Sequence, residues 1–416
     1  MPLHTKILLG LVLGAASGVA LNLATGGGER VAWLVGVTEP IGRMWLSGLI
    51  MVVIPLILST LALGVAGLGS LKRLGRIGAV TIACFLSLTA ISTGLGLTVM
   101  NTVQPGKGLD PAIKQKLMAT YSGQVQDAMG LSGSVLNIDL LVNVVPRNPV
   151  KAAAEGNMLA VIFFALMLGV GLTLVGRERA RALLELLDSL GHVVVAIIGL
   201  VMSVAPLGVF CLIFSVTARF GFGLLLNLAA FVLTVVGTLL FMQVVGYSLI
   251  LKLVARRSPL EFFRKTEIVM MTAFSTSSSN ATLPTTMRVA EEELRLPREI
   301  GGFVLPLGAT LNMNGTALFE GATVLFLAQV FGLDLGLGAQ LVVVLMSVVT
   351  AIGTAGIPGG SIPLLMMILG MVGVPMEGIA IVLGVDRILD MCRTVLNVTG
   401  DLVTATVVAR FEGAKD

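Results

Sequence analysis

The chain has 416 residues, of which 56% are apolar and only 12% charged, with a formal net charge of +4. A soluble domain carries about twice that charged fraction, so the sequence reads as an all-α polytopic membrane protein. The small basic excess sits between apolar runs and does not point to nucleic acid. Cys84, Cys211 and Cys392 lie far apart in apolar sequence, which excludes a disulfide framework or a cysteine metal cluster, and His4 and His192 are too few for a histidine metal site.

In chain order, membrane-length apolar runs are predicted at 7–24, 45–70, 77–103, 157–175, 183–218 and 223–254. The first run lacks a small-residue cleavage pattern and is expected to stay as a span rather than be removed as a signal peptide. Lys72, Arg73 and Arg76 follow the second run, Arg177, Arg179 and Arg181 the fourth, and Arg256, Arg257, Arg264 and Lys265 the sixth. Basic exits at even-numbered runs place the N-terminus and these loops in the cytoplasm, and Arg410 and Lys415 suit the same side for the C-terminus. Residues 104–156, with Pro105, Pro111, Pro146 and Pro149, read as an outer loop with short helical pieces.

After residue 258 the apolar runs are interrupted at their middles. The breaks are Ser275 to Pro284, Asn312 to Thr316 inside a span at about 299–331, and Gly353 to Ser361. Non-helical backbone at membrane depth is tolerated only where it is buried or lines a cavity. The first and third breaks, each between two half-length runs, read as re-entrant hairpins entering from opposite sides, and paired broken segments point to a transporter's binding site.

The last run carries Asp386, Asp390, Arg393, Asn397 and Asp401 at gaps of four, three, four and four. On a helix these fall within an arc of about 80°, one polar stripe on an apolar rod. Ionisable groups in such a helix are costly and face a cavity or each other. Arg393 offers a planar fork for a carboxylate, and Asp390 can pair with an ammonium. The alternative is an Arg393–Asp390 structural ion pair. The exposed N–H groups of the first hairpin tip, with the hydroxyls of Ser277, Ser278 and Ser279, suit an α-carboxylate; a plain serine-rich cap is the alternative. Asn312, Asn397 and Asp401 are oxygen donors suited to a small hard cation such as sodium, or else to hydrogen bonding between helices. Glu320, the one carboxylate in the core of its span, is a proton-carrier candidate or a neutral packing residue. Gly94, Gly96, Gly169 and Gly171 are expected at close helix contacts.

The Ser277–Pro284 tip, Asn312–Thr316, Gly353–Gly359 and the stretch from Asp390 to Asp401 occur together and in order. With them the chain resembles, over essentially its whole length, the dicarboxylate/amino acid:cation symporter family of glutamate and aspartate transporters. That resemblance implies eight transmembrane helices plus two re-entrant helical hairpins, inverted repeats and an elevator-type motion. It implies a homotrimer in the cell (inner) membrane, with residues 1–76 and 104–218 as scaffold and residues 77–103 and 219–416 as a mobile transport domain. It implies an acidic amino acid, L-glutamate and/or L-aspartate, as substrate, with sodium and/or protons as coupling ions, no other cofactor and no catalysis. A C4-dicarboxylate is the alternative substrate.

Residue by residue, the resemblance puts the substrate side-chain carboxylate on Arg393 and Thr316, and the ammonium on Asp390 with help from Thr394. The α-carboxylate falls on Asn397, Ser279 and the backbone of Ser277 and Ile357, with Ser278 and Gly359 also at the site. One sodium maps to Asn312, Asp401 and the backbone of Gly308 and Asn397; a second maps to Thr310 and the backbone of Ala351, Ile352 and Thr354. The departures weaken a third sodium site. Asn314 stands where the family's usual motif has Asp, and Leu88 where archaeal relatives carry a helpful threonine. Glu320 matches the glutamate linked to proton cotransport in the mammalian branch. Arg387 stands in for an arginine that relatives place on the first hairpin, within electrostatic reach of Asp390 at i, i+3.

Overall fold

The structure, a computed structural model, describes residues 3–25, 29–71, 76–107, 145–155, 157–220, 222–354, 356 and 359–412. Every regular element among these residues is helical. Helix α1 (Leu3–Thr25) is followed by α2 (Glu29–Ile50) and α3 (Val53–Leu71). The run predicted at 45–70 is therefore the end of one helix and the whole of the next. Pro55 explains the interruption, because it has no N–H for the Met51 carbonyl and its ring crowds that group. Residues 29–44 fall outside every predicted run; charged residues and Pro40 interrupt their apolar pattern. Glu39 is instead held by Arg43 on its own helix and by Arg219, 2.5 Å away.

Helix α4 (Arg76–Val103) matches its predicted run. Most of the 104–156 connector lies outside the described residues, as do Lys72 and Arg73. A short α5 (Pro149–Ala154) is visible, its N-terminus capped by the Asn148 side chain. Next come α6 (Met158–Val175), α7 (Arg177–Ser203) and α8 (Ala205–Phe220). The run predicted at 183–218 thus splits in two at Val204. Pro206 breaks it as Pro55 does, and the Trp45 indole donates to the Val201 carbonyl at 3.0 Å.

These helices pack as one group: α1 and α2 on α8, and α3 on α6 and α7. Gly10, Gly14 and Gly18 put one bare face of α1 against the α8 backbone. A Cβ at Gly14 would lie 2.7 Å from the Phe210 carbonyl, and one at Gly18 equally close to that of Phe214. The stripe is spaced by four residues, as in close membrane helix pairs. Gly169 likewise approaches Ala62, and Gly96 approaches Leu318. Gly94 and Gly171 correct the expectation, for a Cβ there would meet nothing within 4 Å.

A second group centres on two long buried helices. Helix α9 (Phe222–Phe241) continues through a π turn (Met242–Gly246), a short α10 (Tyr247–Ile250) and another π turn (Leu251–Ala255). Then follow α11 (Pro259–Thr276), α12 (Ser279–Glu292), α13 (Arg298–Leu311), α14 (Asn314–Phe331), α15 (Leu337–Gly353), α16 (Ile362–Met371) and α17 (Ile379–Phe411). Each predicted break contains a gap between helices, but a shorter one than expected: Ser277–Ser278 in the first and Asn312–Met313 in the second, with Ser279–Pro284 and Asn314–Thr316 already helical. Every residue of α14 is buried. Helix α17 packs on α14, α11, α13 and α9, and α4 lies along α14. Arg76, at the start of α4, pairs with Glu412, just past α17, at 3.8 Å, so the second loop and the end of α17 share one side.

Among the described residues, five helical stretches are long and apolar enough to cross a membrane: Thr5–Ala24, Val31–Ala66, Arg76–Val103, Glu178–Ser203 and Leu225–Ala255. Shorter apolar helices, including Leu337–Ile352 and Ile362–Met371, accompany them.

Candidate functional site

The site forms where the breaks meet. Helix α11 ends at Ser277, which adopts the left-handed conformation (φ 51°) and reverses the chain. Ser278 then caps α12: its Oγ accepts from the Ala281 N–H at 3.2 Å and donates to the Gly356 carbonyl at 2.6 Å. The Asn280 N–H reaches the same carbonyl at 3.4 Å. One serine therefore caps α12 and joins the α11–α12 turn to the break between α15 and α16. Gly359, at φ +75°, supplies backbone that an L side chain disfavours, and its N–H donates to Asp390 Oδ2 at 3.3 Å.

The middle break is held from outside. The Asn397 Oδ1 accepts from the Gly315 N–H at 2.7 Å and the Thr316 N–H at 3.3 Å. These are orphan donors at the start of α14, so a side chain of α17 caps another helix. The Asn397 Nδ2 donates to Thr316 Oγ1 at 3.2 Å.

Ser277, Ser279, Met313, Thr316, Thr354, Gly356, Ser361, Asp390, Thr394 and Asn397 surround a cavity of about 10 Å3, room for about one water. Most of the predicted substrate residues thus converge on one space. The Ser277 Oγ is buried there without a partner. Ser278 is turned to the tip contact instead, and Ile357 lies outside the described residues.

Arg393 is 1% exposed and sits behind the cavity wall. Its Nη1 contacts Asp386 Oδ1 at 2.7 Å and its Nη2 contacts Asp390 Oδ1 at 2.9 Å. Its guanidinium lies 4.4 Å over the Phe319 ring, within cation–π range. Arg387 approaches the other Asp390 oxygen at 3.6 Å, as the i, i+3 spacing predicted. The result is a buried cluster of two arginines and two aspartates, neutral in sum, as burial requires. The Arg393–Asp390 ion pair that the sequence left as an alternative is present, and Asp390 still lines the cavity. The sequence reading gave no role to Asp386 or Phe319; only the three-dimensional register of α14 and α17 reveals them.

The candidate cation residues divide. The Asn312 Nδ2 donates to Asp401 Oδ1 at 2.8 Å, while its own Oδ1 is buried without a partner. A Cβ at Gly308 would overlap the Asp401 carboxylate, so backbone and carboxylate touch. A free amide oxygen beside a buried carboxylate suits a hard cation. Thr354, Ala351 and Ile352 sit at the end of α15, with Thr354 buried. Thr310 is exposed, its hydroxyl donating to Leu307 O at 2.9 Å. Asn314 belongs to a neutral network: Thr89 donates to its Oδ1 at 3.2 Å, and its Nδ2 donates to the Tyr247 hydroxyl at 3.0 Å. Leu88 is buried hydrocarbon; the hydroxyl facing Asn314 comes from Thr89, one residue on. Glu320 is fully buried and accepts from Thr350 Oγ1 at 2.8 Å.

Helix breaks that meet around a buried polar cavity in a multi-pass helical membrane protein define the class of a membrane transporter. The chain belongs to the sodium:dicarboxylate symporter family, whose model matches residues 3–411. It is 37% identical to the proton/sodium-glutamate symport protein of Bacillus subtilis, over 99% of this chain and 93% of that protein. It is 36% identical to the proton/glutamate-aspartate symporter of Escherichia coli, over 98% and 92%. A C4-dicarboxylate transport protein of Rhodospirillum rubrum is 34% identical, over 91% and 83%.

Proposed function

We propose that this chain is a secondary active symporter for acidic amino acids, L-glutamate and/or L-aspartate, coupled to protons and/or sodium. The observation that carries the reading is the pairing of Arg393 with an Asp390 that also lines the cavity beside two hairpin tips. A substrate's side-chain carboxylate replaces an aspartate on the Arg393 fork, its ammonium takes up Asp390, and its α-carboxylate lies among the tip N–H groups and serines. The cavity must widen for this, so a hairpin has to move. The protein binds and relocates its substrate and transforms nothing. The names of the two glutamate-related relatives support the same substrate class.

Sodium is cargo here. Asn312 and Asp401, with the backbone of Gly308 and Asn397, are the first candidate site; the end of α15 with Thr310 is the second. Glu320 is the proton carrier, since its carboxylate is fully buried and faces a Thr350 hydroxyl rather than a cation of its own. The neutral Asn314 network argues against a third sodium.

The architecture we infer has eight transmembrane helices and two re-entrant hairpins arranged as inverted repeats, with both termini in the cytoplasm of a cell that holds the protein in its inner membrane as a homotrimer. Residues 1–76 and 104–218 form the scaffold, and residues 77–103 and 219–416 the moving domain. The packing of α1–α3 with α6–α8, and of α4 with α9–α17, supports that division.

Uptake into proteoliposomes tests the reading. Arg393→Ala is expected to cut glutamate and aspartate uptake at least about 100-fold, the loss of a charge-assisted fork, while a neutral amino acid of similar size gains ground. Unchanged acidic uptake would remove the clamp. Competition by succinate as strong as by aspartate would favour the C4-dicarboxylate reading, which Asp390 opposes, because a ligand without an ammonium would set another anion against its carboxylate.

A further inference from the structure

Glu320 meets α15 through hydroxyl groups alone. Its Oε2 accepts from Thr350 on α15, while its Oε1 is buried without a partner. Ser347, three residues earlier on the same helix, has a fully buried hydroxyl with no other partner, close enough to Glu320 to act on the same carboxyl. Helix α14 is closed in by α4, α9, α15, α16 and α17. The first four bring no charged side chain near Glu320. From α17 comes the Arg393 guanidinium, already shared by Asp386 and Asp390.

The Thr350 hydroxyl has one proton and a choice. It also lies 2.9 Å from the Met346 carbonyl and 3.2 Å from that of Ser347, on its own helix. An anionic Glu320 needs that proton, because a buried carboxylate without donors is costly. A protonated Glu320 can itself donate to a hydroxyl oxygen of α15, which frees Thr350 to fold back on Met346. Gain or loss of one proton by the carboxylate therefore rewires the contact between α14 and α15, with the Thr350 hydroxyl proton moving between Glu320 and the Met346 carbonyl. The change reaches the cavity within a turn. The Thr350 carbonyl accepts from Thr354 Oγ1 at 2.8 Å, and Thr354 lines the cavity.

We propose that Thr350, seconded by Ser347, is the positioning residue that ties the proton on Glu320 to the setting of the second hairpin over the substrate site. This rests on the reading of Glu320 as proton carrier. With the carboxyl protonated, α15 closes down on α14; with the proton gone, only neutral hydroxyls of α15 face a buried charge, and α15 loosens to let it be solvated. Substrate and proton then bind together because both need α15 in place.

The test is calorimetric titration of purified full-length protein with L-glutamate across pH 5.5 to 8.5, for wild type, Thr350→Val, Thr350→Ser, Ser347→Ala, Glu320→Gln and the Glu320→Gln/Thr350→Val double variant. The expected result is that Thr350→Val moves the midpoint of the affinity–pH profile by about one pH unit, the worth of a hydrogen bond to a charged group. Thr350→Ser restores it, Ser347→Ala moves it less, and Thr350→Val in the Glu320→Gln background changes affinity by less than twofold. Monodisperse elution of Thr350→Val excludes misfolding as the cause. A Thr350→Val profile that overlays the wild type, or the same shift in the Glu320→Gln background, overturns the inference while leaving Glu320 as carrier. A Glu320→Gln protein that keeps the wild-type pH dependence overturns the proton-carrier reading itself.

Discussion

The two hairpin ends share a tip contact but not surroundings. The first pair, α11 and α12, packs on α13 and α17 and leaves its outer face open, with Leu260, Ile268, Met271 and Phe274 exposed. The second pair, α15 and α16, lies against α2, α3 and α6 of the other group, and Ile352 touches Gly64. Met202 of α7 abuts Gly359. Two elements of similar construction thus sit in opposite situations, one clamped and one bare. The bare face adjoins the basic loop after Ala255, the side assigned to the cytoplasm. An apolar face of that kind rests against lipid or another protein surface, and in the elevator cycle proposed above that surface would be the group that now holds the second hairpin.

The comparison can be broken most severely by freezing the clamp. In a background lacking Cys84, Cys211 and Cys392, Gly64→Cys with Ile352→Cys puts two thiols within disulfide reach. Oxidation is expected to abolish net uptake, and reductant to restore it; transport through an intact crosslink would mean that the second hairpin need not leave α3. A smaller effect is expected from Ser278→Ala, which removes both a helix cap and the bond to Gly356. A loss of about 1–2 kcal/mol corresponds to a roughly tenfold weaker apparent affinity in binding titrations. The smallest is Phe274→Ser on the bare face. Its melting temperature should stay within about 2 °C of wild type, as for most surface changes, yet uptake should slow a few-fold if that face docks during the cycle. Equal uptake rates would leave the face without a role.

Much of this was legible in the sequence. The three breaks were visible because serine, asparagine and glycine runs interrupt otherwise apolar stretches, and the polar stripe of α17 because its spacing obeys helical periodicity. What stayed hidden depends on contacts between distant elements. Asn397 reads as a ligand by its place in the stripe, but the orphan N–H groups of Gly315 and Thr316 claim its oxygen. Asp386 is one more acid in the stripe until Arg393 is seen to bend back to it over seven residues. The Thr350 hydroxyl has no local signature at all. Helix α2 was missed for the opposite reason. Its charges look like loop residues until Arg219, 180 positions away, neutralises Glu39.

The glycine face of α1 has a practical consequence. Gly10, Gly14 and Gly18 let the α1 and α8 backbones touch, so those two rods behave as a weld with no side-chain cushion in which to slip. On the scaffold division proposed above, a dye fixed near the start of the chain would stand on masonry, a landmark against which single-molecule measurements could time any travel of the hairpins.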